Sequence, residues 1–112
     1  SNEALCALTA SVYLAAVGPQ GLKQAATLCL SKAHYLAQEL TKIEGVNLVY
    51  GGEFFHEFVT TLPKQEEVLA ALAKEGILGG LPVKEGVLWC VTEKATKEAL
   101  DKAVAIVKEV CA

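Results

Sequence analysis

Apolar and polar positions along this chain recur with two periods, and together they predict its elements in order. From Glu3 to Val17, Leu5, Leu8, Val12 and Ala15 follow one another at spacings of three and four, which marks one face of a helix. The other face carries Ala4, Leu14 and Ala16 with only small polar residues, so this helix wants burial on more than one side. Gly18 and Pro19 stop it. A longer helix follows from about Gln20 to Ile43, where Leu22, Ala26, Cys29, Ala33, Leu36, Leu40 and Ile43 alternate steps of four and three. Gly45 is a left-handed C-cap candidate.

Val46 to Tyr50 then reads as a short strand and Gly51-Gly52 as a turn. Phe54 to Leu62, rich in aromatic and β-branched residues, reads as the next strand. Pro63 ends it ahead of a third helix, Gln65 to Lys74, whose buried stripe is Val68, Leu69 and Leu72 and whose stop is Gly76. Ile77 to Pro82 is apolar but rich in Gly and Pro, an irregular edge strand or loop. Gly86 to Thr92 is a firmer strand, with Val87, Trp89 and Val91 on one face, Leu88 and Cys90 on the other, and both faces reading as buried. A last helix runs from about Thr96, its N-cap, to Cys111. This order predicts an α+β fold: a small, mostly antiparallel sheet with helices packed on one side.

At 112 residues and 53% hydrophobic, residues 1–112 make one domain around one core, and intrinsic disorder is excluded. A net charge of −3 with scattered lysines speaks against nucleic acid as a partner. The apolar stretches between Ala4 and Val17 reach Gly18 and Pro19 too early to span a bilayer, and no basic segment precedes them. Neither a signal peptide nor a membrane anchor is expected. The chain has no Met, even at position 1, so it is expected to be processed or cut from something larger. It has no Arg either, which rules out a bidentate guanidinium clamp for a carboxylate or phosphate.

Candidate chemistry is sparse. Cys6, Cys29, Cys90 and Cys111 each lie in an apolar segment, with no C-x-x-C pair and no His at ligand spacing, and read as reduced, buried small hydrophobes. His34, beside the seam of the long helix, reads as structural. His56 stands mid-strand next to Glu57, and adjacent strand positions point to opposite faces, so the two are not expected to form a dyad. Gly79-Gly80 lacks the surroundings of a phosphate cradle and reads as a tight turn or a close backbone approach. Thr92-Glu93-Lys94 lies where a strand hands over to a helix, a place where loops carry function. No catalytic set and no metal cluster is visible.

Four stretches taken together carry a resemblance. They are Asn2 to Leu14 (NEALCALTASVYL), Phe54 to Val59 (FFHEFV), Gly76 to Pro82 (GILGGLP), and Cys90 to Lys94 (CVTEK) with Thr96-Lys97-Glu98. In this combination the chain resembles the C-terminal part of subunit 1 of the two-subunit bacterial glycine dehydrogenase (decarboxylating), the P-protein family of the glycine cleavage system. Two positions depart from that family: Ala95 stands where an Arg is common, and Ala99 where an acidic residue is common.

The resemblance implies the small C-terminal domain of a pyridoxal phosphate enzyme of the aspartate-aminotransferase-like fold type I. Such an enzyme is cytoplasmic and heterotetrameric; it decarboxylates glycine and passes the aminomethyl group to the lipoyl arm of H protein. The Schiff-base Lys would belong to subunit 2. No residue here is then expected to be catalytic, cofactor-binding or metal-binding, and the fragment alone is expected to be inactive. His56, Gly79, Gly80, Thr92, Glu93 and Lys94 are the candidate lining of a cleft between the subunits. The first helix, near Leu5, Val12 and Tyr13, is expected to be exposed or covered by self-association. A stand-alone binding or regulatory module, or the small domain of another aminotransferase-like enzyme, are the alternatives.

Overall fold

The structure is a computed structural model that describes residues 2–112. Helix α1 runs Ala4–Leu40, strand β1 Glu57–Thr60, α2 Gln65–Lys74, β2 Leu81–Val83, β3 Gly86–Cys90 and α3 Lys97–Cys111. The three strands form one antiparallel sheet in the order β1-β3-β2.

The break expected at Gly18 is present inside α1: Gly18 has φ 68° and ψ 173°, outside the helical region, and Pro19 resumes the helix. Before the break, every residue from Asn2 to Ala16 is exposed. Beyond it, Ala33, Leu36, Ala37 and Leu40 carry the helix into the core. The projecting segment explains a radius of gyration of 16.5 Å, against about 13 Å for a compact domain of this length. By length and composition α1 is apolar enough to cross a membrane, and that stretch is wholly unburied. The kink divides it, and the first piece falls short of the ~20 residues a span needs.

The sheet presents one face to the helices. Phe58 and Thr60 of β1 and Val87 and Trp89 of β3 are buried against Leu36 and Leu40 of α1, Val68 and Leu72 of α2, and Leu100, Ala103 and Val107 of α3. Trp89 Nε1 donates to Thr60 Oγ1 at 2.9 Å, so the polar atom of the largest core side chain is paired inside the core. The opposite face is more open, with Leu88 half-buried and Cys90 exposed. That corrects the expectation of a β3 buried on both sides: among the described residues no layer covers the far face.

Other boundaries shift for local reasons. The chain bends at Phe55 and His56, so β1 starts at Glu57, not at Phe54. The stretch Val46 to Tyr50 does not form a full strand. It flanks β1 through a bridge between Leu48 and Thr60, with Val49 N–H donating to Val59 and Thr61 N–H donating to Asn47. Helix α1 ends at Leu40, and Gly45, with φ 85°, serves a turn beyond the cap. Gly76 does close α2. Its N–H donates to Ala73 O and that of Ile77 to Leu72 O, a Schellman arrangement that needs the positive φ of 74° found there. Thr96 caps α3 as expected, its Oγ1 accepting from Ala99 N at 3.1 Å.

Candidate functional site

The candidate cleft residues gather around the end of β3 and the turn that leaves it. Gly79 and Gly80 lie on the strap between α2 and β2, where backbone meets core. A Cβ on Gly79 would lie 2.8 Å from Leu72 Cδ1, and one on Gly80 would lie 2.2 Å from Val87 Cγ1 and 2.7 Å from Leu88 O. The glycines therefore serve close packing, as the sequence indicates, with no cradle around them. Gly79, Cys90, Ala95 and Ala99 border an apolar pocket of about 170 Å³ floored by Leu36 and Trp89.

The turn Thr92 to Lys94 is held from α1. Lys32 Nζ donates to the carbonyls of Glu93 at 2.8 Å and Ala95 at 2.5 Å, and the Cys29 thiol donates to Glu93 Oε2 at 3.4 Å. Thr92 Oγ1 accepts from Lys94 N at 3.3 Å and closes the turn on itself. Glu93 is kept below the usual carboxylate range, first by its own backbone N–H and then by the Cys29 thiol. Lys32 is the one lysine that is not exposed. Its part was missed in the sequence, where it is one polar residue on the flank of a long apolar seam.

His34 has a structural place: its Nε2 is 2.9 Å from Phe54 O, and its ring stacks on Phe54 with centroids 4.0 Å apart. His56 differs from expectation. Because it sits on the bend before β1 and not within the strand, alternation does not separate it from Glu57. A ring nitrogen of His56, a carboxylate oxygen of Glu57 and the Cys90 sulfur all lie within 4.8 Å of one another. Glu57 pairs with Cys90 across the antiparallel ladder, so their side chains share a face. The sequence reading of no metal cluster overlooked this grouping, which the β1–β3 register and the bend at His56 create together. The reading of four buried cysteines is also corrected. All four are free thiols: Cys29 and Cys111 are half-buried, and Cys6 and Cys90 are exposed because no layer among the described residues covers the first turns of α1 or the far face of the sheet. Partial desolvation pushes the Cys90 thiol above its ordinary pKa, with the Glu57 carboxylate and Cys29 adding to the rise.

A charged trio braces α1 against α3. Lys97 Nζ lies 2.7 Å from Asp101 Oδ2 and 5.3 Å from the centre of the Tyr35 ring, while the Tyr35 hydroxyl donates to Asp101 Oδ1. Asp101 is held below its ordinary pKa, first by the bond from Lys97 and then by that from Tyr35. A depressed carboxyl pKa contributes stability above the unfolded-state value and loses it as pH falls through the folded one. The contribution of Asp101 should therefore be fully present well above about pH 4 and fade progressively as pH falls below it. In urea melts, the gap between the parent chain and Asp101→Asn is expected to be open at pH 7 and to narrow at pH 3.

A family model described as the glycine cleavage system P-protein matches residues 1–107. The chain belongs to that family. Among P-protein relatives, the probable glycine dehydrogenase (decarboxylating) subunit 1 of Moorella thermoacetica is 43% identical over 120 residues, covering 100% of this chain and 27% of that protein. The protein of the same description from Desulfitobacterium hafniense is 43% identical over 118 residues, covering 98% of this chain and 26% of its own length. A crystal structure of glycine decarboxylase (P-protein) of the glycine cleavage system, in inhibitor-bound form, superposes with a TM-score of 0.85 at 37% identity. It matches 98% of this chain and 26% of that one. The chain thus spans about a quarter of the length of the P-protein relatives it matches.

Proposed function

We propose that this chain is the small C-terminal domain of subunit 1 of a glycine dehydrogenase (decarboxylating), a cytoplasmic heterotetramer with subunit 2. In this reading the whole enzyme decarboxylates glycine with pyridoxal phosphate and hands the aminomethyl group to lipoylated H protein. The observation that carries it is the family match over residues 1–107, in a chain that spans only a quarter of its relatives.

In this reading the cofactor is held outside this chain, and the lysines support that. Nine of the ten lysines are exposed, and the tenth, Lys32, commits its ammonium to two backbone carbonyls. With no Arg in the chain, nothing offers a phosphate a fixed guanidinium pair. No chemical step is therefore assigned to this domain. Its part is to shape and close a cleft: the Gly79-Gly80 strap, free of side chains, packs closely on Leu72, Val87 and Leu88, and the Thr92 to Lys94 turn is fixed by Lys32 and Cys29. The apolar outer turns of α1, with Leu5, Leu8 and Val12 exposed, suit a surface that packs on the rest of the subunit or on another copy of this chain.

Titrating the chain into isolated subunit 2 tests this reading, with calorimetry for binding and the visible absorbance of the cofactor for proximity. Heat of binding with a shifted absorbance is the expected result. No heat removes the domain from the cleft, and glycine decarboxylation by the chain alone would overturn the non-catalytic assignment.

A further inference from the structure

Where β1 begins and β3 ends, three donor groups of different chemistry converge: a His56 nitrogen, a Glu57 carboxylate oxygen and the Cys90 sulfur, all within 4.8 Å of one another. None of the three is tied up elsewhere. His56 Nδ1 is buried and has no hydrogen-bond partner among the described residues, so the ring has a lone pair to give without breaking a bond. Glu57 takes part in none of the ion pairs among the described residues. Cys90 is a free, exposed thiol.

Two independent features of the backbone create the grouping. The ladder sets Glu57 opposite Cys90, and His56 O accepts from Val91 N at 3.0 Å, which anchors the bend that brings the imidazole over the same corner. The donors are thus presented by hydrogen-bonded sheet, and both exposed members are open to an ion arriving from water.

We propose that His56, Glu57 and Cys90 form a binding site for a zinc-like divalent cation. A mixed nitrogen, oxygen and sulfur set is the one that Zn²⁺ takes, whereas Ca²⁺ and Mg²⁺ require oxygen donors alone. With metal–ligand bonds of about 2.0–2.3 Å, donors around a tetrahedral ion stand roughly 3.5 Å apart. The separations here close to that value by rotation of the exposed Glu57 and Cys90 side chains. On binding, the Cys90 S–H bond breaks, its proton goes to solvent, and the sulfur lone pair forms the metal bond. Three protein ligands leave the fourth position to a water molecule or an incoming ligand. The site does not depend on the enzyme reading above.

Co²⁺ titrated into the chain with its thiols reduced is the test, because a cobalt–thiolate bond absorbs in the near ultraviolet and a tetrahedral cobalt centre absorbs in the visible. Both bands are expected, with Zn²⁺ displacing them. Cys90→Ser should abolish the thiolate band. His56→Asn and Glu57→Gln should each weaken binding about 10-fold or more, since loss of even an outer-shell partner costs that much. Cys6→Ser, on the far arm of α1, should change nothing. Circular dichroism of each variant separates loss of a ligand from loss of fold. Absence of the thiolate band in the folded parent chain, or a band that persists in Cys90→Ser or disappears in Cys6→Ser, overturns the assignment.

Discussion

Gly86→Ala is expected to cost about 3 kcal/mol or more, a large share of the 5–15 kcal/mol that holds a domain of this kind. Gly86 opens β3 with φ 154°, a conformation that side chains rarely adopt. A Cβ built there lies 2.2 Å from Thr60 O and 3.0 Å from Thr60 C. Both are backbone atoms of the neighbouring strand, so no side chain can rotate away. Relief requires moving β1 off β3, which breaks the ladder through which Phe58 and Trp89 share the core face. Backbone strain contributes about 1–2 kcal/mol and overpacking another 1–3 kcal/mol. The urea midpoint should fall steeply. Gly51→Ala, at a position with nothing within 4 Å, should leave it within about 0.5 kcal/mol of the parent.

Trp89→Ala is expected to destabilise by about 3–5 kcal/mol. Trp89 is 4% exposed and stands at the centre of the helix-facing side of the sheet, with Phe58 opposite it in register. Its removal leaves a cavity that helix-borne residues such as Leu36 and Leu100 cannot fill without moving backbone. It also strands Thr60 Oγ1, which is buried and accepts the indole N–H. Trp89→Phe separates the two effects: most of the volume stays and only the hydrogen bond goes, which predicts a smaller loss of about 1–3 kcal/mol. Equal midpoints for the Ala and Phe variants would show that packing at this position contributes little.

Much of this architecture is written in local pattern. The alternating steps from Ala33 to Leu40 mark the face of α1 that reaches the core, and Val87, Trp89 and Val91 mark the buried face of their strand and its extension. Gly76 and Thr96 declare helix ends because their chemistry acts within a few residues. What pattern does not encode is coverage. The outer face of β3 and the cysteines read as buried, since a sequence shows which side chains want partners and not whether a partner is there, whereas the exposure expected of the first helix near Leu5, Val12 and Tyr13 is found. Cys6 and Cys90 were misplaced for that reason. The corner of His56, Glu57 and Cys90 depends on register. Cys90 faces Glu57 only because β1 pairs with β3 at one offset, and a slip of one residue would send it to the opposite side. The bend at Phe55 and His56 also goes unannounced, because strand-forming residues on both sides conceal it, while Phe54 turns back to stack on His34. The candidate lining at Gly79, Gly80 and Thr92 to Lys94 was visible as glycines and a turn. The side chain that fixes that turn, Lys32, was not.

The order of the sheet governs how copies of this chain can aggregate. The outer edge of β1 is occupied by the flanking segment at Asn47 to Val49, and the other edge is β2, only three residues long with Pro82 in its middle. A proline at the centre of so short a strand removes the donor that an incoming strand would need, so neither edge templates a cross-β stack. Chains that meet through this domain must do so by side chains, along the bare apolar arm before Gly18, which makes amorphous or coiled-coil-like clumping, and not fibrils, the hazard to manage when it is concentrated.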